Sequence, residues 1–294
     1  FAFGPTGRAA YDELLRLGHS VVGIWTHAPD AHEDPCFTPV SAPCPTFFHP
    51  AHTTLGEDVT AQLESVNPDL LLSVWFRSIL PGTALTVPAR GAWNFHASLL
   101  PSYRGRSPLN WALIRGERRT GVTLHAMTPQ VDCGGILDSR PIPITPSDDI
   151  NSLLTASNAA VRHLLQHNLA RIALDDYALI PQHPTDEPPC RARTPEDGWF
   201  TWNDPAHSIH NLVRAVTHPF PGAFFLAPSG TQVFVWKTRF VPGCNTLDPG
   251  IPVILDNYRF CVGTSDDAVE ILVWSKSGGP ERPGSDLADA WKLL

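Results

Sequence analysis

Apolar positions in the first two thirds of the chain fall into two alternating patterns. Val21-Val-Gly-Ile-Trp25 and Leu70-Leu-Leu-Ser-Val-Trp-Phe76 are continuous apolar runs, as in strands covered on both faces. Between them Val59, Leu63 and Val66 recur at helical spacing. Phe1-Ala-Phe-Gly-Pro-Thr-Gly7 reads as the end of a buried strand and a glycine turn, leading into a helix with Ala10, Leu14, Leu15 and Leu17 on its apolar side. Gly121-Val-Thr-Leu-His-Ala-Met127 predicts another strand, and Asp148-Asp-Ile-Asn opens a long helix through Leu154, Val161, Leu164 and Leu165. Strand and helix in alternation predict an α/β domain on a mainly parallel, doubly wound sheet, which binds ligands beyond the carboxyl ends of its strands. Ala28 to Pro50, rich in Pro, His and Asp, is expected to be an exposed loop.

At Pro181 to Pro195 the composition shifts to Pro, Thr, Asp, Glu and Arg, which marks a linker. Beyond it Ile209, Leu212, Val213 and Val216 form one amphipathic helix. Short strand candidates follow at 223–226, 232–236, 253–255, 260–262 and 269–274, a spacing that suggests a small open β-barrel. The expected organisation is a catalytic domain over 1–180, a linker over 181–197 and a smaller domain over 198–294. A chain of 294 residues is long enough to bury the cores of both.

The net charge of −8 leaves no basic footprint for a phosphate backbone, so nucleic acid is disfavoured as a partner. Arg115, Arg118 and Arg119 read as a solvated helix end. Cys36, Cys44, Cys133, Cys190, Cys244 and Cys261 show no CxxC and no regular spacing; reduced thiols and a cytoplasmic setting are expected. No apolar run approaches the roughly 18 residues of a membrane span. The chain opens at Phe1 without a methionine, so a short upstream piece is expected to be missing.

The chemistry concentrates at Asn94-Phe-His96, followed by Ser98-Leu-Leu-Pro-Ser-Tyr-Arg-Gly-Arg106 and, downstream, Asp132. An amide, an imidazole and a carboxylate around a proline-containing turn can stabilise an oxyanion, move a proton and hold the proton carrier, which outlines an acyl-transfer site. Histidine suits the shuttle because its unperturbed pKa is about 6.5. Any one of these residues alone is more often a turn or surface residue; their combination carries the reading. Gly4-Pro-Thr-Gly7 lacks the GxGxxG pattern, and a strand-to-helix turn alone explains its two glycines; a nicotinamide oxidoreductase stays as a rival reading, to be dismissed if no dinucleotide binds. His125, His163 and His167 are taken as structural or solvent-facing, and the pair His163 and His167 lacks a third ligand for a metal.

This segment resembles the formyltransferase family that uses 10-formyltetrahydrofolate, in which an Asn-x-His pair, a Ser-Leu-Leu-Pro-x-x-Arg-Gly loop and a downstream Asp-x-Gly form the site. Arg106-Ser-Pro-Leu-Asn-Trp111, Gly121-Val-Thr-Leu-His125, Arg193-Thr-Pro-Glu-Asp197, His210-Asn-Leu-Val-Arg-Ala-Val216 and Pro219-Phe-Pro-Gly-Ala223 look most like members acting on UDP-4-amino-4-deoxy-arabinose, with methionyl-tRNA formyltransferase similar in layout. The resemblance spans essentially the whole chain. It implies a Rossmann-like catalytic domain followed by a barrel-like, OB-like one, with Asn94, His96 and Asp132 catalytic. It further implies that Ser78, Ile79, Leu80, Arg106, Thr128, Pro129, Gln130 and Val131 line a folate pocket, and that no metal is needed. Arg106 could instead hold a phosphate or carboxylate of the acceptor. Arg193, Asn211 and Arg214 are weaker candidates for acceptor contacts. Ala97 replaces the more usual glycine or proline, and Cys133 the more usual threonine or alanine; neither removes a catalytic atom. The implied reaction is formyl transfer to a primary amine of a nucleotide-linked sugar. Hydroxyornithine, an aminoacyl group on a carrier protein, methionyl-tRNA, or folate binding without turnover are the alternatives.

Overall fold

The computed structural model describes residues 1–28, 36, 44–244, 247–256 and 258–291, so the 28–50 stretch lies partly outside the described residues. The chain forms two compact units, one of Phe1–Pro108, Arg119–Ile144 and Ser152–Arg191, the other of Leu109–Arg118, Thr145–Asn151 and Ala192–Leu294.

In the first unit β1 (Ile24–His27) pairs in parallel with β2 (Thr46–His49), and β3 (Leu71–Val74) in parallel with β4 (Ala92–His96). Phe1 to Phe3 join the two pairs: the Ala2 amide donates to Trp25 O at 2.9 Å, and the Val74 amide to Phe1 O at 2.9 Å. Helix α1 (Gly4–Arg16) follows directly, and α2 (Asp58–Val66) buries Val59 and Leu63 against Trp25, Leu71 and Leu80. β5 (Arg119–Ala126) and β6 (Ile136–Pro143) extend the sheet in antiparallel fashion. The expected mainly parallel sheet is therefore mixed. The reversed strand is β5, which runs against β4 although residues 97–118 between them are long enough for a crossover; β6 then runs back alongside β5, because residues 127–135 are too few for one. β2 lies inside the stretch expected to be loop; four residues between Pro45 and Pro50 give too short a pattern to stand out. The long helix α4 (Ile150–Ala173) buries Leu153, Val161, Leu164 and Leu165. Among the described residues no helix is long and apolar enough to cross a membrane.

The proline-rich stretch after α4 is tied to this unit. Ile180 exchanges two backbone hydrogen bonds with Ile136, both 2.8 Å, and Cys190 bonds to both Arg104 and Arg106. The second unit takes α3 (Pro108–Ile114), whose Asn110 side chain donates to Ala215 O at 2.7 Å on α5 (Ala206–Val216). Its sheet runs β7 (Ala223–Leu226), β8 (Gln232–Val241), β11 (Ala268–Lys276), β10 (Arg259–Gly263), β9 (Pro252–Leu255), with β12 (Arg282–Pro283) beside β11. All these pairings are antiparallel. Among the described residues no pairing joins β7 to β9, so the sheet is open and not a closed barrel. α5 packs on β8 and β11, and α6 (Ser285–Trp291) on β10, so helices cover what barrel closure would otherwise have to bury.

Candidate active site

Side chains alternate along a strand, so Asn94 and His96 on β4 share one face. Antiparallel pairing sets Asn94 opposite His125 and His96 opposite Thr123 on β5. The chain then turns through Ser98 to Arg106 and brings the Tyr103 carbonyl to 2.8 Å from His96 Nε2. Asp132 follows β5 in a left-handed conformation, φ 54°, which folds its carboxylate back toward both strands. Its Oδ2 lies 3.4 Å from His96 Nδ1, and its Oδ1 lies 3.4 Å from Asn94 Nδ2. The structure thus unites the three residues proposed as catalytic, all in the first unit.

The turn is held at several points. The Gly105 amide donates to Asp132 Oδ2 at 2.9 Å. Gly105 has φ 92°, and a Cβ there would stand 2.5 Å from Cys190 O, so only glycine suits this position. Thr123, fully buried, donates to Ser98 O at 2.7 Å and accepts the Leu100 amide at 3.2 Å. Replacing Thr123 by valine keeps the shape but leaves the Leu100 N–H buried and unpaired. Urea unfolding should show a loss of about 1–3 kcal/mol.

Burial pushes the His96 pKa below its ordinary value; the Asp132 carboxylate and the Tyr103 carbonyl oppose this without reversing it. The resting ring is therefore neutral near pH 7 and able to take a proton. Both ring nitrogens face oxygen acceptors, so the imidazolium formed by proton uptake is the better-satisfied species. Burial would raise the Asp132 pKa, but the His96 ring and the Gly105 amide help to outweigh it and hold the carboxyl at about 2. Asp132 is an anion throughout the working range.

The segments expected to bind folate lie close to one another. A Cβ built on Gly82, just after Ser78 to Leu80, would sit 3.8 Å from the Pro129 ring. Ile79 and Val131 are each 49% exposed. Leu80 is buried in the core, and Ser78 donates to Pro50 O at 2.8 Å. Thr128, Pro129 and Gln130 are exposed, with Thr128 donating to Gln130 O. Arg106 is half-buried, and burial lowers its pKa. Arg193, Asn211 and Arg214 belong to the second unit. There Arg214 donates to Asn211 Oδ1 at 2.9 Å and to the carbonyls of Thr145 and Asp148.

Two site residues were not singled out from the sequence. His125, taken as structural or solvent-facing, is 2% exposed and lies against both Asn94 and Asp132. Polar residues at 123 and 125, alternating with apolar Val122, Leu124 and Ala126, were the available signal. Gln182 sits in the stretch read as linker. Its amide donates to Asp132 O and Gly134 O at 2.9 and 2.7 Å and accepts from Arg104 at 2.7 Å, bracing the turns that carry Arg104 and Asp132.

Residues 9–168 match the Formyl transferase family and residues 193–290 the Formyl transferase, C-terminal domain. Among solved structures, HypX from Aquifex aeolicus in complex with tetrahydrofolic acid is 20% identical at a TM-score of 0.67, over 97% of this chain and 45% of that one. The chain thus spans a little under half the length of HypX. An N-formyltransferase from Helicobacter canadensis, in complex with folinic acid and dTDP-3-aminofucose, is 15% identical at 0.62, over 94% of this chain and 97% of that one. A sugar N-formyltransferase from Shewanella is 21% identical at 0.53, over 65% and 76%.

Proposed function

Because the chain belongs to the formyl transferase family, whose domain covers residues 9–168 of its 294, we propose that it moves the formyl group of 10-formyltetrahydrofolate to a primary amine on a nucleotide-linked amino sugar. The observation that carries this reading is the convergence of a half-buried amide donor, a buried neutral imidazole and an ionised carboxylate at one point. The folate supplies an activated formyl carbon. Asn94 donates to the formyl oxygen as negative charge gathers there. His96 takes the proton that the amine loses as its nitrogen bonds to that carbon, and returns it to the departing folate nitrogen. Asp132 holds the imidazolium formed between these two events.

The exposed apolar side chains of Ile79 and Val131 could cover a flat heterocycle, with backbone groups of their segments at its edge. Ser78, Leu80, Thr128, Pro129 and Gln130 would take part through those segments. Arg106 has a guanidinium that burial disfavours and an anionic group would stabilise. In the second unit Arg193, Asn211 and Arg214 are candidate acceptor contacts. The sugar acceptor is supported by one structural relative described as a sugar N-formyltransferase and by another, an N-formyltransferase, in complex with dTDP-3-aminofucose. A cytoplasmic setting is part of the proposal, in keeping with six free cysteines.

Mass spectrometry of reactions with UDP-amino sugars, dTDP-amino sugars, hydroxyornithine, an aminoacyl carrier protein and methionyl-tRNA tests the acceptor. A formyl adduct on a sugar nucleotide is the expected result. An adduct on a different amine alone would replace the acceptor class and keep the chemistry.

A further inference from the structure

His125 is buried beside the reacting groups, yet the chemistry above gives it no task. Its Nδ1 lies 2.9 Å from Ala126 O, an acceptor only, so Nδ1 carries a proton, and a ring with that single proton presents a lone pair at Nε2. That lone pair faces Asn94 Nδ2 at 3.1 Å. A flipped Asn94 amide would set its oxygen against this lone pair and against the Asp132 carboxylate, two repulsive contacts in place of two attractive ones. The nitrogen end of the amide is thereby fixed inward. One N–H is held by His125 at good length. The other points to Asp132 Oδ1 at 3.4 Å, too long for a strong bond and therefore easily redirected. At 2% exposure His125 admits no water that could substitute for it.

We propose that His125 is a positioning residue: it grips one N–H of Asn94 so that the second is aimed at the reacting oxygen. The role rests on the proposed formyl transfer, in which Asn94 is the donor. The cross-strand register explains the precision, since Asn94 and His125 are paired directly across β4 and β5. A register shift after Leu124 separates the pairing of His125 with β6 from that of the residues before it, so the ring is aimed independently of the neighbouring strand.

The test uses H125L and H125Q in the full chain, alone and combined with N94A. Glutamine can place a carbonyl oxygen near the position of Nε2; leucine cannot accept a bond. Misdirecting one donor is expected to lower kcat by about 10- to 100-fold in H125L, with KM for 10-formyltetrahydrofolate within about twofold. H125Q should recover a large part of that loss. In the N94A background H125L should cost less than about twofold, because there is no amide left to aim. Equal losses in both backgrounds, or a folded H125Q no better than H125L, would overturn the proposal; H125M serves if leucine is not tolerated. A second readout needs no turnover. The side-chain amide protons of Asn94, followed by 15N NMR, should exchange slowly in the wild type and H125Q and rapidly in H125L. Rapid exchange in an active wild type refutes the positioning alone. Slow exchange in a protein that formylates nothing upholds the positioning and removes the formyl-transfer reading.

Discussion

Exchanging Asp132 for asparagine is expected to slow formyl transfer by roughly 10³- to 10⁴-fold, the scale seen when a carboxylate is removed from behind a catalytic histidine. The asparagine can still accept the Gly105 amide, so the turn at Gly105 should survive. What disappears is the negative charge 3.4 Å from His96 Nδ1, and with it the stabilisation of the imidazolium. The pH profile gives an independent sign. Asp132 raises the His96 pKa against the depression caused by burial, so its removal should move the acid limb of the rate profile to lower pH. An acid limb that stays in place would show that the carboxylate does not act through His96. Stability should respond in the opposite pH range. A carboxyl held at about 2 stabilises the folded wild type above its unfolded value near 4, and this contribution is lost as pH falls between the two. D132N should show a correspondingly weaker loss of stability over that window.

Asn94→Ala is expected to reduce kcat by about 10²- to 10³-fold, the usual consequence of deleting one donor to a developing oxyanion. The side chain is half-buried, so truncation should leave melting close to that of the wild type. KM for the folate should change little, because the bond to the formyl oxygen strengthens only as charge develops there. A rate within about threefold of the wild type in a folded N94A would remove the amide from the chemistry. Rate loss matched by an equal rise in KM would instead make Asn94 a binding residue.

Much of the site was legible because its residues lie in short, patterned segments. Asn94 and His96 alternate on one strand, and the turn that follows carries the glycine its geometry needs at 105. Asp132 was legible through its motif, although its left-handed backbone, which aims the carboxylate, has no mark in residue type. His125 and Gln182 were not legible. The first is a single histidine in a strand, and the second bonds to Asp132 across fifty residues of sequence, a distance no local pattern spans. The fold divides in a similar way. Strands and helices with sustained periodicity, such as β5, α4 and α5, lie where the pattern sets them. Strand direction did not follow from periodicity: β5 alone is reversed, and the long connection from β4 to β5 permits either direction, so neither the strands nor the length of that connection sets it. The open sheet of the second unit likewise depends on where α5 and α6 pack.

Transfer of a labelled formyl group is the most direct measurement. The protein would be incubated with 10-[13C]formyltetrahydrofolate and a UDP- or dTDP-amino sugar, and the label followed by 13C NMR in the wild type and in H96A. The expected result is a new formamide resonance on the sugar nucleotide that grows with enzyme concentration and is nearly absent in H96A. Label that stays on the folate or leaves as free formate, or a formamide signal of equal size in folded H96A, would contradict formyl transfer through this site.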